Sequence, residues 1–384
     1  KAFCISPLFA SHYSSRAGTT VLWVLCCRRT RNIIMRVGFV LVSTLFVANW
    51  VGFITGAFAN IYFCDRFGFG KALVLGAALQ MVAYTLQSFA GPYPLMIFAS
   101  GLSGLGISFQ NAHANAYVAS TSQGDPSTKF GILHATYGLG ALVSPLVATS
   151  FSHTRHWTFH YLVSTGLSLL NTICIAILAE AGIAPAEVGR VDRSKYRQVF
   201  GIKTVHFLAL FTLVYVGFEV TVGGWIVTFI IRTRDGGANA GYISSGFFGG
   251  IALGRLGLMW LNRLVGERRI LFIYAALVIA LEATIWAVPS MIENAVAVSL
   301  IGVLLGPMYP ILLSHSAHVL PAWLLTEAIG WITGFGVAGS AVFPFLTGLL
   351  AFRFGIISLQ PILVTLMGVA VVLWSIVPKA QRMD

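Results

Sequence analysis

Residues 204–231 read TVHFLALFTLVYVGFEVTVGGWIVTFII, an apolar run interrupted by one charged side chain, Glu219. A membrane helix needs roughly 20 apolar residues, so this run is long enough to cross a bilayer. It lacks the two-residue alternation that a strand of a membrane barrel would carry. Comparable runs recur on both sides of it. We expect eleven spans, at 37–63, 71–90, 93–120, 130–151, 157–179, 204–231, 241–262, 270–288, 294–317, 324–351 and 357–377. The joints between them carry turn signals: Gly91-Pro92, Gln123-Gly124-Asp125-Pro126, Asp235-Gly236-Gly237 and Pro289.

Composition agrees. Of 384 residues, 57% are hydrophobic and 9% charged, whereas soluble domains carry about 25% charged residues. So few charges cannot clothe a soluble enzyme or a nucleic-acid-binding protein of this size, and the hydrophobicity excludes a disordered chain. The fold class expected is an all-α polytopic membrane protein. The net charge of +12 then reports cytoplasmic loops. The five cysteines show no CxxC or Cys/His spacing, so neither a disulfide framework nor a metal site is expected. No nucleotide-binding or hydrolase motif supports a cofactor or an enzyme. Gly334-Phe-Gly336-Val-Ala-Gly339 matches GxGxxG, but it lies inside an apolar span with no strand before it.

The longest joint, 181–203, is basic and separates five spans from six. It divides the chain into an amino-terminal half at 37–180 and a carboxy-terminal half at 204–377, followed by a tail at 378–384. The halves repeat each other. Gly56 and Gly68 correspond to Gly254 and Gly266 at an offset of 198, and Lys71 corresponds to Arg269. Gly140-Ala-Leu-Val143-Ser-Pro145 corresponds to Gly339-Ser-Ala-Val342-Phe-Pro344 at an offset of 199. Duplicated six-helix halves are a mark of secondary transporters. The repeat requires a partner for 204–231 near 6–33. There only Thr19–Cys27 is apolar, and Arg16, Arg28, Arg29 and Arg31 flank it. Residues 1–36 are therefore read as an atypical segment in place of a first helix, as a truncation or a fragment would leave.

Orientation follows from the basic residues. With 64–70 in the cytosol, fourteen lie in inside joints and four (Arg155, Arg232, Arg234, Arg353) in outside joints. The other six fall within 1–36. Gly246, Gly250 and Gly254 lie four apart, as do Gly52 and Gly56, a spacing that lets helices approach closely; in a rocking transporter these faces would slide.

The loop Asp65-Arg66-Phe67-Gly68-Phe69-Gly70-Lys71 resembles the loop motif of the major facilitator superfamily, Gly-x-x-x-Asp-Arg-x-Gly-Arg-Lys/Arg. It departs from that pattern at Ile61, Phe69 and Gly70. Tyr215-Val-Gly-Phe-Glu219-Val-Thr-Val-Gly223-Gly224-Trp225 is similar to the seventh helix of fucose-permease-like members, especially fungal ones. Leu305-Gly306-Pro307-Met308-Tyr309-Pro310 and Ala338–Pro344 are similar to their tenth and eleventh helices. The resemblance implies two six-helix halves rocking about a central site lined by the first, fourth, seventh and tenth helices. Within it, Asp65, Arg66, Gly68 and Lys71 would serve the gating loop, and Arg255 either an inner gate or a snorkelling contact with headgroups.

Ten of the twelve acids fall in joints or near helix ends; Glu219 and Glu282 are near mid-span. An ionised carboxylate there is costly unless paired or hydrated. Tyr215 lies one turn before Glu219, Thr212 two turns before and Gly223 one turn after, on one helix face. Glu219 is thus the candidate proton-coupling or substrate residue, with an inter-helix hydrogen bond as the competing role. For Glu282 the structural role leads. The span at 93–120 holds Gln110, Asn111, His113, Asn115 and Tyr117. Gln110, His113 and Tyr117 share one face and Asn111 and Asn115 the next, offering donors and acceptors suited to a polar uncharged solute. His134 and Tyr137 could extend this set, and Trp225 and Tyr309 could stack on a sugar-like ring. His315 and His318 show no acid partner in sequence, which argues against an enzyme. The expected function is a proton-coupled secondary transporter of a small polar solute, with sugars favoured, working as a monomer in a lipid bilayer, the plasma membrane before internal ones. The alternative is a transporter-derived chain that no longer transports because its first helix is missing.

Overall fold

The computed structural model describes residues 28–121, 140–151, 154, 156–180 and 193–378. Among them, regular structure is helical throughout. Two compact units divide the chain, Lys1–Val191 and Asp192–Asp384.

In the amino-terminal unit, α1 runs Arg28–Phe67, α2 Phe69–Ser88, α3 Tyr93–Thr121, α4 Gly140–Phe151 and α5 His160–Glu180. The first helix starts at Arg28, nine residues before the expected span, so the basic turn at 28–36 continues into it. Helix α3 packs along both α1 and α2, and α2 packs along α5. Helix α5 shows why this unit suits lipid. Ser164, Ser168 and Asn171 are buried on one stripe, while Leu162, Leu170, Ile173 and Ile177 point outward. A soluble helix would bury the leucines and expose the serines.

The carboxy-terminal unit contains α6 Arg193–Gly201, α7 Lys203–Thr233, α8 Gly241–Gly257, α9 Met259–Val265, α10 Glu267–Ala287, α11 Met291–Leu305, α12 Met308–Val319, α13 Leu325–Phe354 and α14 Leu359–Ile376. Helix α7 packs against α13 and α14, α8 against α11, and α10 against α11 and α14. Helix α11 opens on an N-cap: Ser290 Oγ accepts from the Glu293 amide at 3.3 Å, just after Pro289.

Eight stretches of the described residues are long and apolar enough to cross a membrane, and they coincide with eight of the eleven expected spans. The other three are helical where described. Helix α3 is diluted by its amides and histidine, α4 is described over only 12 residues, and the expected span at 241–262 is interrupted at Leu258 between α8 and α9. The span at 294–317 also contains a break, at Gly306-Pro307 between α11 and α12.

The glycine spacing produces one contact pattern in both units. A Cβ on Gly52 would lie 1.8 Å from the Gly101 carbonyl oxygen, and one on Gly250 would lie 2.3 Å from that of Ser299. Gly56 faces Leu105 O at 2.8 Å, and Gly254 faces Val303 O at 1.9 Å. Gly104 faces Asn49 O at 1.9 Å, and Gly302 faces Phe247 O at 2.1 Å. Every partner in one unit is 198 residues from its counterpart in the other. The α1–α3 seam and the α8–α11 seam are therefore one structure built twice. Both seams lie within their own unit. Gly68 and Gly266, also 198 apart, carry φ of 84° and 90° where helices meet, a conformation that glycine adopts without penalty.

Candidate transport site

Glu219 sits within α7 and is 5% exposed. One turn earlier on the same face, the Tyr215 hydroxyl donates to Glu219 Oε2 at 2.9 Å. The same hydroxyl lies 3.1 Å from the Leu305 carbonyl oxygen, at the end of α11, so its single proton is shared between two acceptors. The stacked Tyr309 ring has its centroid 6.3 Å from that of Tyr215.

The sequence between α11 and α12 explains why carbonyls are presented here. A proline has no amide hydrogen and cannot serve the carbonyl four residues earlier. Pro307 thus leaves Val303 O, and Pro310 leaves Gly306 O, without a helical donor. Arg255 Nε takes up the second of these, at 3.4 Å from Gly306 O. Gly306 itself admits the approach, because a Cβ there would lie 2.4 Å from Ile251 O and 2.8 Å from the Arg255 amide nitrogen. The Arg255 side chain is 8% exposed, held inside the unit and not extended to headgroups. Its charge acts on both Glu219 and Tyr215. A carboxyl, a phenol, a guanidinium and the carbonyls of a broken helix thus gather in one place. This arrangement can bind a proton or the hydroxyls of a solute, and it follows the pattern of sites built where membrane helices break.

Comparison with known proteins bears on the family. The sequence profile of the Major Facilitator Superfamily matches residues 3–322. The chain belongs to the Major Facilitator Superfamily. It is similar to "Bypass of stop codon protein 6" of Saccharomyces cerevisiae, 22% identical over 375 residues, covering 88% of this chain and 75% of that one. It is also similar to the glucose/mannose transporter GlcP of Bacillus subtilis, 22% identical over 317 residues, covering 80% and 78%. Among solved structures, the fold matches a variant of the Escherichia coli fucose:proton symporter FucP with a TM-score of 0.69 at 14% identity, covering 98% of each chain. It matches the nucleoside transporter NupG with a TM-score of 0.73 at 12% identity, covering 97% of this chain and 96% of that one.

Within this superfamily member, the carboxy-terminal unit gathers Glu219, Tyr215, Tyr309 and Arg255, the last read from sequence as a residue of an inner gate or of a headgroup contact. Trp225 is not among them. It is fully buried nearly three turns from Tyr215, and its indole donates to Pro344 O on α13 at 3.0 Å. Gly336 and Gly339, from the GxGxxG match, are packing contacts. A Cβ on Gly339 would lie 1.9 Å from Leu213 O. His315 donates from Nε2 to Pro378 O at 2.9 Å, and Glu267 on α10 accepts from the neighbouring Ser314 Oγ at 2.8 Å.

In the amino-terminal unit, Gln110 is 1% exposed and its amide is fully engaged. Its Nε2 donates to Gln80 Oε1 at 2.8 Å, and its Oε1 accepts from Asn171 Nδ2 at 2.9 Å. Gln80 Nε2 in turn donates to the Tyr84 hydroxyl at 2.5 Å. The network ties α2, α3 and α5 together. His113 is buried beside it, donating from Nδ1 to Phe109 O at 2.6 Å, with its ring edge-on to Phe69 at 4.7 Å. Asn111, on the adjacent face, is half-buried. The Asn115 and Tyr117 side chains, the Asp65 side chain, and His134 and Tyr137 lie outside the described residues. Arg66 and Lys71 are exposed at the loop around Gly68.

The Gln110 network makes a prediction. Gln110→Leu strands Gln80 Oε1 and Asn171 Nδ2 in an apolar core, at about 1–3 kcal/mol for each unpaired group. We expect a lowered unfolding temperature in detergent, with transport by the surviving folded fraction unchanged. Unchanged stability would show that the network is not a structural clasp.

Proposed function

We propose that this chain is a secondary transporter that moves a small polar uncharged solute, with sugars the favoured class, by alternating access coupled to protons through Glu219. The observation that carries this reading is the buried Glu219–Tyr215–Arg255 cluster at the broken helix. A carboxyl at membrane depth with a hydroxyl donor and a cation beside it can alternate between protonated and ionised forms at tolerable cost. The names of similar proteins, a glucose/mannose transporter and a fucose:proton symporter, support the solute class. Asn111, His113, Asn115, Tyr117, His134 and Tyr137 are proposed as further solute contacts, and Tyr309 as a ring platform. Gln110 and Trp225 are assigned to packing. Asp65, Arg66, Gly68 and Lys71 are proposed as the gating loop. We further propose eleven spans, with α3, the 130–151 stretch and α8–α9 completing the set, a basic cytoplasmic linker at 181–203, and a monomer in the plasma membrane.

The test is uptake by the purified chain in liposomes under an imposed pH gradient. Glu219→Gln is expected to abolish accumulation against a solute gradient, by tenfold or more, while exchange of labelled for unlabelled solute persists. Accumulation that survives in Glu219→Gln would end the coupling role. Gradient-insensitive uptake in the wild-type chain would indicate a uniporter, and no uptake of any sugar would remove the solute class.

A further inference from the structure

Tyr215 has one hydroxyl proton and two acceptors within reach of it. Glu219 Oε2 lies at 2.9 Å on its own helix, and Leu305 O lies at 3.1 Å at the end of α11. A phenol donates a single hydrogen bond, while its oxygen can accept others. The ring is 1% exposed, so the contest is settled inside the unit.

Tyr215 also touches both sides of the break between α11 and α12. Leu305 is the last residue of α11, where a helix runs short of donors for its final carbonyls. Tyr309, just past Pro307, stacks on the Tyr215 ring. The next carbonyl, Gly306 O, is held by Arg255 Nε at 3.4 Å. Two consecutive carbonyls of the break are thus served by the two residues that act on Glu219.

The charge on Glu219 decides which acceptor wins. A carboxylate is the stronger, since charge-assisted hydrogen bonds are roughly twice as strong as neutral ones. With Glu219 ionised, Tyr215 gives its proton to Oε2 and Leu305 O loses it. A neutral carboxyl reverses this. It brings its own O–H, which donates to the phenol oxygen across the same 2.9 Å, and the phenol proton turns to Leu305 O. The phenol keeps its proton throughout, and the net change is one proton on Glu219.

We propose that Tyr215 is a positioning residue that carries the protonation state of Glu219 to the α11–α12 break, tying α7 to Leu305 O when the carboxyl is neutral and releasing it when the carboxyl is ionised. It rests on the reading of Glu219 as the proton carrier. Of the charged or titratable groups around α7, Arg255 on α8 and Tyr309 on α12 act on this pair. The rest stand away from mid-helix. Lys203, His206 and Arg232 lie within a turn of the ends of α7, and Tyr242 at the start of α8. His315 and His318 lie in the last two turns of α12, and Glu327 and Arg353 within a turn of the ends of α13. The basic α6 meets the start of α7, where His206 Nε2 lies 2.9 Å from Phe200 O, and α14 carries no charge.

Two readouts on the full chain in lipid nanodiscs, taken at one series of pH values, test the relay. Infrared difference spectroscopy follows the neutral-carboxyl C=O band of Glu219, assigned by its loss in Glu219→Gln. Hydrogen–deuterium exchange follows the amides of 303–312, each rate divided by its intrinsic value at that pH. In the wild-type chain, protection of the joint is expected to rise about two- to tenfold as the band grows, the worth of one hydrogen bond in a local opening. Glu219→Gln is expected to hold protection at the level of the acid form, because a carboxamide competes less strongly than a carboxylate. Tyr215→Phe is expected to keep the titrating band and lose the pH response of the joint. Should that variant not fold, 4-aminophenylalanine introduced in place of Tyr215 serves instead. Its two N–H groups satisfy both acceptors at once, so protection is expected to stay high at every pH. A joint that ignores pH while the band titrates, or that still follows the band in either Tyr215 variant, overturns the relay and leaves Glu219 as the proton carrier. A band missing from the wild-type chain, or unchanged in Glu219→Gln, overturns the carrier reading and the relay with it.

Discussion

Gly250→Val and Gly52→Val are each expected to abolish recovery of folded protein from the membrane, and to do so equally. The obstacle in both is a backbone carbonyl, not a side chain that could rotate away. A Cβ at Gly250 meets Ser299 O at 2.3 Å and one at Gly52 meets Gly101 O at 1.8 Å, closer than real Cβ atoms come. The helices must part along the whole seam, losing the close contacts at Gly254–Val303 and Gly302–Phe247, or at Gly56–Leu105 and Gly104–Asn49. Overpacking of ordinary cores costs about 1–3 kcal/mol. A clash that separates two helices exceeds that range and consumes much of the roughly 5–15 kcal/mol that holds a domain together. Gly166→Ala and Gly368→Ala are the controls. Neither Cβ meets anything within 4 Å, and alanine favours a helix by about 1 kcal/mol over glycine. Size-exclusion profiles in detergent read the outcome. Normal recovery of either valine variant would show that its seam can open, and unequal losses would mean that the two seams do not bear equal load.

Arg255→Met is expected to produce the second-largest effect, a marked loss of stability, because Gly306 O loses its Nε donor and the buried Glu219 carboxyl loses the charge that acts on it. Adding Glu219→Gln should recover a substantial part, since an amide needs no counter-charge. The single and double variants form a thermodynamic cycle read by thermal or denaturant unfolding. Losses that add within about 0.5 kcal/mol would mean that the two residues do not interact. Arg255→Lys is the informative intermediate. It keeps the charge and loses the Nε donor to Gly306 O, so it separates the Coulombic share from the hydrogen bond.

Sequence made the seams and Glu219 visible for definite reasons. Close helix approach demands small residues at fixed spacing, so Gly246, Gly250 and Gly254 signal it directly. A mid-span carboxylate is rare enough to stand out by itself. The influence of Arg255 on Glu219 was hidden, since the two are 36 positions apart on different helices. Arg255 alone looks like any basic residue near a cytosolic end. The available clue was the pair Pro307 and Pro310, which together imply unserved carbonyls and therefore a donor in search of them. The role of Gln110 was hidden for a different reason. Spacing shows which residues share a face but not what that face meets, and Asn171 is 61 residues away. The break at Leu258 carries no proline to announce it, whereas the break at Gly306-Pro307 does.

The interlocked glycines also bear on how the carboxy-terminal unit can deform. Helices α8 and α11 cannot roll across each other without backbone atoms colliding, so they form a stiff plate. The joint at Gly306-Pro307 is its opposite. Two amide hydrogens are missing there, and α12 hangs from the plate by a short, under-bonded link. Bending is therefore concentrated at the residues that carry Tyr309 and offer their carbonyls to Tyr215 and Arg255. Any change in the contacts of Tyr215 or Arg255 with these carbonyls therefore acts on a compliant joint beside a stiff pair of helices.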